Sequence, residues 1–287
     1  SGIVRRCTFA TNTANNYAAV WAMSGCAFYD CTFICNSNTL SAGAIICSGG
    51  NPIISNCAFI ANYGDGAIRM EGSVDDSVIT GCTFTRNIGR EYGGGIRMYR
   101  GTIDRCIFSY NTAPFAGGLM VNNSPVIVRN SLFQGNEAVS TGGGVYTWGG
   151  GTLENCTIVG NKAPAGGGVS FGSGTTARNL IIYSNSTANY DGSPTLTNSC
   201  TTPMPSGTDN TTNEPGFIAT GSGYGTNHVA GDYHLVKDSS CRNAGIYLAW
   251  MTNAFDLDGK SRINENSVDM GAYEYINKNP GTVCAIR

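Results

Sequence analysis

Charge is what this sequence has least of. Charged residues make up 13% of the chain, about half the usual share, with only four lysines and a net charge of −2. There is no electrostatic case for binding nucleic acid or an anionic membrane surface. No run of about 18 apolar residues exists, which excludes a bilayer-spanning helix. Histidine is almost absent, and His228 and His234 have no visible partner in the sequence. No CxxC pair with His or carboxylate partners occurs, so a metal centre of that kind is excluded too. Disorder is excluded by the 41% hydrophobic content, because a disordered chain shows less of it and more net charge.

What the chain does have is glycine (40 residues), cysteine (12 residues) and many Asn and Thr. With so little lysine, this composition predicts an extracellular protein. The sequence starts at Ser1 without an initiator Met, and the expectation is that a leader or upstream segment has been removed.

The sequence repeats. With the cysteine of "CTF" as position zero, the column runs Cys7, Cys31, Cys57, Cys82, Cys106, Ser131, Cys156 and Leu180, in steps of 24 to 26 residues. Two residues on stand Phe9, Phe33, Phe59, Phe84, Phe108, Phe133, Ile158 and Ile182. Five residues on stand Asn12, Asn36, Asn62, Asn87, Asn111, Asn136, Asn161 and Asn185. Another apolar column follows the glycines: Val20, Ile45, Ile68, Ile96, Leu119, Val145 and Val169.

A helical repeat of this length would need amphipathic stretches that the triple glycines and β-branched residues oppose. The runs read instead as short strands with period-two alternation, broken by Gly and Asn turns. The prediction is an all-β, single-stranded, right-handed parallel β-helix of the pectate-lyase-like kind. It has about eight coils of 24–26 residues, each with three short strands, over residues 1–190. Coils stack about 4.8 Å apart, so eight make a rod of roughly 38 Å.

The columns then acquire physical reasons. Apolar side chains fill the interior. The Asn column lies at a corner, where Asn tolerates the left-handed conformation, and its stacked amides hydrogen-bond from coil to coil. The glycines allow a tight turn at positive φ. The column cysteines read as small buried hydrophobes, because stacked parallel Cβ vectors suit a disulfide poorly. Cys26, Cys35, Cys47, Cys200, Cys241 and Cys284 lie off the column, and disulfides among them stay open at this stage.

The register fades after residue 190. Residues 191–287 read as irregular last turns and a C-terminal cap, which a solenoid needs to protect its open edge. No matching cap is visible before the first coil. Upstream sequence or another chain is expected to cover that end, and head-to-tail self-association follows as one expectation.

The residues also carry a family resemblance. "FTRN" with "GGGI", "FIAN" with "DGAI", "FSYN" with "AGGL" and "FQGN" with "GGGV" resemble the F-x-x-N and G-G-A-I repeats of Chlamydia-type polymorphic outer membrane proteins. The ending "DLDGKSR…DMGAYEY" resembles the terminal segment of bacterial β-helix proteins of the choice-of-anchor Q type. Together they imply a right-handed β-helix, secreted or displayed at a bacterial cell surface. Such repeats occur in adhesins, in surface proteins of unknown role and in pectate-lyase-like enzymes. The first coil departs from the pattern with "AAVW" in place of the glycines, and the last two have Ile in place of Phe.

Candidate site residues come from alternation on the strand after the glycines. Ile96 points in, so Arg97 points out, Met98 in and Tyr99 out. The first outward column is Trp21, Ile46, Arg69, Arg97, Met120, Tyr146 and Ser170. The second is Met23, Ser48, Glu71, Tyr99, Asn122, Trp148 and Gly172. Aromatic rings beside Arg and Glu suit a sugar polymer, since rings stack on apolar sugar faces and Arg forks onto oxyanions. The ligand-binding candidates are Trp21, Arg69, Glu71, Arg97, Tyr99, Arg100, Asn122, Tyr146 and Trp148, with a polysaccharide or glycan as partner. The bland alternative is that exposed strands favour Tyr and Trp anyway.

Cleavage is the second reading. Arg69 or Arg97 would neutralise a uronate, Tyr99 would serve as base, and Glu71 is the one central carboxylate, whereas a glycosidase needs two. A structural module stacking end to end is the third. No cofactor is indicated. Calcium on Asp65, Asp75 and Asp76 is a weak alternative to solvated turns, because the spacing matches no calcium loop. "DLDG" lacks the rest of such a loop and reads, with Arg262, Asp269 and Glu274, as a structural ion-pair network.

Overall fold

A computed structural model describes residues 2–23, 25–71, 76–122, 125–264 and 266–277. The chain winds into a parallel β-helix. The coils from Ile3 to Thr147 each contribute one strand to each of four sheets, and the later coils to fewer. The first sheet has ten strands, from Ile3–Arg5 to Ser206–Thr208. The second has nine, from Thr8–Ala10 to Cys200–Thr201. The third has six, from Thr13–Ala14 to Glu137–Thr141, and the fourth eight, from Val20–Ala22 to Tyr190–Asp191.

Every neighbour in these sheets is the same position one coil later, as in Ile79 beside Ile103, Phe84 beside Phe108 and Ile96 beside Leu119. The prediction of three strands per coil missed the third sheet. Its strands are mostly two residues long, such as Ile88–Gly89, and two residues show no alternation to read.

The interior is the set of predicted columns. Six phenylalanines, from Phe9 to Phe133, stack with centroids 4.5–4.9 Å apart and rings within 8° of parallel. Isolated ring pairs prefer offset or edge contacts, but the strand spacing sets this geometry. Beside them runs the asparagine ladder. Asn87 Nδ2 donates to Asn111 Oδ1 and to the Phe59 carbonyl, both at 2.9 Å, and the Asn87 amide also donates to Asn111 Oδ1 at 2.9 Å. The pattern repeats from Asn36 to Asn185.

One detail of the corner differs from expectation. The left-handed residue is the one before the ladder Asn, for example Arg86 (φ 55°) and Tyr110 (φ 59°). The ladder Asn is retained for its amide. The glycines serve two ends. Gly93 turns the chain at positive φ (54°), while at Gly95 an added Cβ would come within 2.8 Å of the Phe108 ring.

No disulfide joins any described cysteine, and Cys284 lies outside the described residues. The column thiols donate to the carbonyl two residues back, at 3.2–3.4 Å for Cys31, Cys57, Cys82, Cys106 and Cys156. Burial pushes the Cys156 thiol up to about 12, as it does that of Cys47.

Beyond Thr208 the chain folds back along the outside of the stack. Phe217, Tyr233, Leu235, Cys241 and Met270 form a second core against Leu132, Val159 and Ile181, which project outward from the second sheet. The segment also docks on a corner column that the sequence reading overlooked. Asn155, Asn179 and Asn198 donate to the carbonyls of Asp269, Ile246 and Ala244 at 2.9–3.1 Å. Each sits one residue before position zero at positive φ, as does Asn130. The earlier coils have Arg6, Asp30, Asn56, Gly81 and Arg105 there. The switch to consecutive Asn was the available signal.

Of the predicted ion-pair network the structure shows the Arg262–Glu274 pair, whereas the Asp269 carboxylate accepts from the Asn243 and Tyr275 amides. Arg262 is 0% exposed, pairs with Glu274 at 2.5 Å and donates to the carbonyls of Gly271 and Asp269. Asp256 accepts from the Lys260 and Glu274 amides, so the "DLDG" stretch is a hydrogen-bonded turn. Burial raises the pKa of Glu274 to about 8, against the opposing pull of Arg262.

Candidate functional site

The outer wall of the fourth sheet gathers the predicted residues in the expected register. Trp21, Ile46, Arg69, Arg97, Met120, Tyr146 and Ser170 are successive neighbours. Outward direction does not mean exposure for all of them. Ile46, Met120 and Ser170 are buried, with Ile46 covered by Ala18 and Ala42 of the adjoining turns. Alternation gives direction but is blind to such covering.

The centre of the wall is organised by a residue that was considered only as a weak calcium ligand. Asp65, 7% exposed, receives Arg97 Nη1 at 2.9 Å and Arg69 Nη1 at 3.4 Å, both on Oδ2. Arg69 also meets Glu71 at 3.5 Å. Arg97 donates from Nη2 to the Tyr99 hydroxyl at 2.9 Å and from Nε to Asn122 Oδ1 at 3.3 Å, and its guanidinium lies 4.5 Å from the Tyr92 ring. Arg69, Glu71, Arg97, Tyr99 and Asn122 are thus brought together, largely engaged with one another. Arg100 stands exposed on the next turn, apart from this cluster. Asp75 lies outside the described residues and Asp76 is exposed.

Aromatic pairs flank the cluster. Trp21 stacks on Tyr17 at 4.4 Å and donates from Nε1 to Ser48 Oγ at 2.7 Å. Trp148 packs edge-on to Tyr146 at 5.7 Å. Trp21 is 42% and Trp148 61% exposed. Burial raises the Tyr146 hydroxyl above its ordinary pKa, with a smaller push from Asp191.

The histidines correct an expectation, since both have partners. His228 is buried, with Nε2 2.6 Å from the Tyr233 hydroxyl and Nδ1 3.0 Å from the Gly223 carbonyl. His234 lies between Asp232 (2.5 Å) and Asp258 (2.8 Å), and Lys260 shares Asp258 at 2.8 Å. The short Asp–x–His spacing was a signal for the first pair. The second pair, 24 residues apart, had none.

Residues 1–133 match the family model described as a right handed beta helix region. That match, over a little less than half of the chain, and the observed coils agree on a right-handed parallel β-helix fold. Over an alignment 159 positions long that covers 51% of the chain, the sequence is 29% identical to metabotropic glutamate receptor-like protein P of Dictyostelium discoideum. The chain spans only 11% of that relative's length. Among the described residues, no helix is long and apolar enough to cross a membrane.

Proposed function

We propose that this β-helix is a surface or secreted protein that holds a carbohydrate polymer along the outer wall of its fourth sheet. The observation that carries the reading is the pair of exposed aromatic platforms, Tyr17–Trp21 and Tyr146–Trp148, on one face. Five strand steps separate Trp21 from Tyr146, roughly 24 Å at the spacing of a sheet. Indole rings this exposed lose apolar burial unless a ligand covers them, and their faces suit the C–H surface of a sugar. Between them lie Arg, Glu, Tyr and Asn side chains that match hydroxyls. A straight, rigid wall pre-organises these contacts and lowers the entropy cost of binding an extended chain.

Recognition is favoured over cleavage because Arg69, Glu71, Arg97 and Tyr99 are held in mutual contacts, with Asp65 closed off beneath them. Surface location is supported by the low lysine content and by the resemblance of the repeats to polymorphic outer membrane proteins.

A glycan panel tests the proposal. The wild type should bind at least one polymer, and Trp148→Ala should weaken it by about tenfold, the scale of one lost ring contact. Unchanged binding in Trp21→Ala and Trp148→Ala would move the site elsewhere. Turnover of any polymer, seen as new reducing ends or an unsaturated product, would replace recognition by catalysis.

A further inference from the structure

We propose that the cavity between the third and fourth coils is an oxyanion subsite, with Arg90 as the side chain that recognises a carboxylate or sulfate of a sugar. The inference rests on the carbohydrate reading above and narrows it to acidic polymers.

The cavity holds about 310 Å³ and is lined by Leu40, Asp65, Arg69, Arg90, Glu91 and Arg97. That is at the lower end of the size range of ligand pockets, enough for one sugar unit. Three guanidinium groups face two carboxylates in this lining. Asp65 is consumed by Arg69 and Arg97, both on its Oδ2. Glu91 is exposed, next to Tyr92 in sequence. Glu71, outside the lining, takes the remaining side of Arg69.

Arg90 is different. Its backbone amide is anchored to the Gly64 carbonyl at 2.6 Å, yet its exposed guanidinium makes no hydrogen bond or ion pair among the described residues. A planar fork of donors fixed at its root and open at its tip on the rim of a cavity is suited to a bidentate oxyanion.

The floor points the same way. Asp65 Oδ1 and Arg69 Nε are both buried without a partner. Leaving such groups unpaired costs about 1–3 kcal/mol each, which a ligand hydroxyl would relieve. Their place is beside the cavity, where a small shift of either side chain opens an acceptor and a donor to a sugar hydroxyl. Leu40, 62% exposed, offers an apolar rim for the C–H face. By register the cavity falls between the two aromatic platforms, so a polymer spanning them crosses it.

The test measures affinities of the wild type, Arg90→Gln and Trp148→Ala for oligoglucuronate, a carrageenan oligomer and a cello-oligomer, each at low and high salt. Arg90→Gln should weaken an acidic ligand by about tenfold, flatten its salt dependence and leave cello-oligomer binding unchanged. Trp148→Ala should weaken every ligand that the wild type holds. The stronger of the two acidic ligands tells carboxylate from sulfate. Arg90 is exposed, so the variant should keep the wild-type melting temperature. If Arg90→Gln matches the wild type on acidic ligands while Trp148→Ala is impaired, the subsite is refuted and the carbohydrate reading stands. If the wild type binds none of the three probes nor any glycan of the panel, both fall.

Discussion

The coil stack and the C-terminal segment use the same side chain, asparagine, in two different ways. In the stack, Asn36 to Asn185 face their own copies, and each amide repeats the contact of the coil before it. On the corner column, Asn155, Asn179 and Asn198 each bond a different backbone carbonyl of a segment that repeats nothing, although Asn179 also donates to Asn155 Oδ1 at 3.1 Å. The first arrangement spreads stability over many equivalent contacts. The second concentrates the hold of the segment in a few unique ones, with Arg262–Glu274 at their centre.

The ladder should therefore be the costlier one to interrupt. Asn111→Ala strands the Asn87 amide without its acceptor and the Phe84 carbonyl without the side-chain donor. It also removes one of two bonds each from Asn87 Nδ2, which keeps the Phe59 carbonyl, and from Asn136 Oδ1, which keeps the backbone amide of residue 111. At about 1–3 kcal/mol per buried orphan, the loss is on the order of 5 kcal/mol. Urea unfolding should show it as a lower midpoint for the entire stack. A loss below about 1 kcal/mol would mean that water replaces the amide.

Arg262→Met comes next, at about 3–5 kcal/mol, because Glu274 is left as an uncompensated buried carboxyl. The variant paired with Glu274→Gln should regain much of that loss, and failure to do so would assign the cost to packing. Asn179→Ala should cost about 2 kcal/mol and act locally. The Ile246 amide, which donates to Asn179 Oδ1 at 2.7 Å, should lose hydrogen-exchange protection while the amides of Phe84 and Phe108 keep theirs.

The contrast also explains what could be read in advance. Cys82, Phe84, Asn87 and Ile96 were legible because a solenoid writes each contact once per coil, so period alone places them. Alternation placed Arg69, Arg97, Tyr99, Tyr146 and Trp148 on one wall. It could not place Asp65 beneath two arginines, since that contact depends on rotamers across 32 residues of chain. Nor could it show that Ile46 and Met120 are covered. The C-terminal contacts were illegible for a plainer reason. Asn155 meets Asp269 across 114 residues, and no second copy of that contact exists to betray it.

The smallest effect is the most diagnostic of how the segment is held at its exposed side. Burial alone would lower the pKa of His234, but hydrogen bonds to Asp258 and Asp232 outweigh it and the pKa stands above the ordinary value. A raised folded-state pKa contributes stability that is complete below the unfolded value of about 6.5 and is lost as pH rises through the folded value. Asp232 is held low chiefly by its hydrogen bond to His234. Asp258 is lowered by Lys260 and His234 despite its burial. These two act in the opposite window, giving stability that fades only as pH falls below about 3.9. The melting temperature should therefore decline gently above neutral pH in the wild type, and less in His234→Gln. Added salt should shrink the difference, because the cluster is partly open to solvent. Identical profiles would mean that solvent screens these pairs completely. The segment would then be held by its buried face alone, through Arg262, the corner asparagines and the second core.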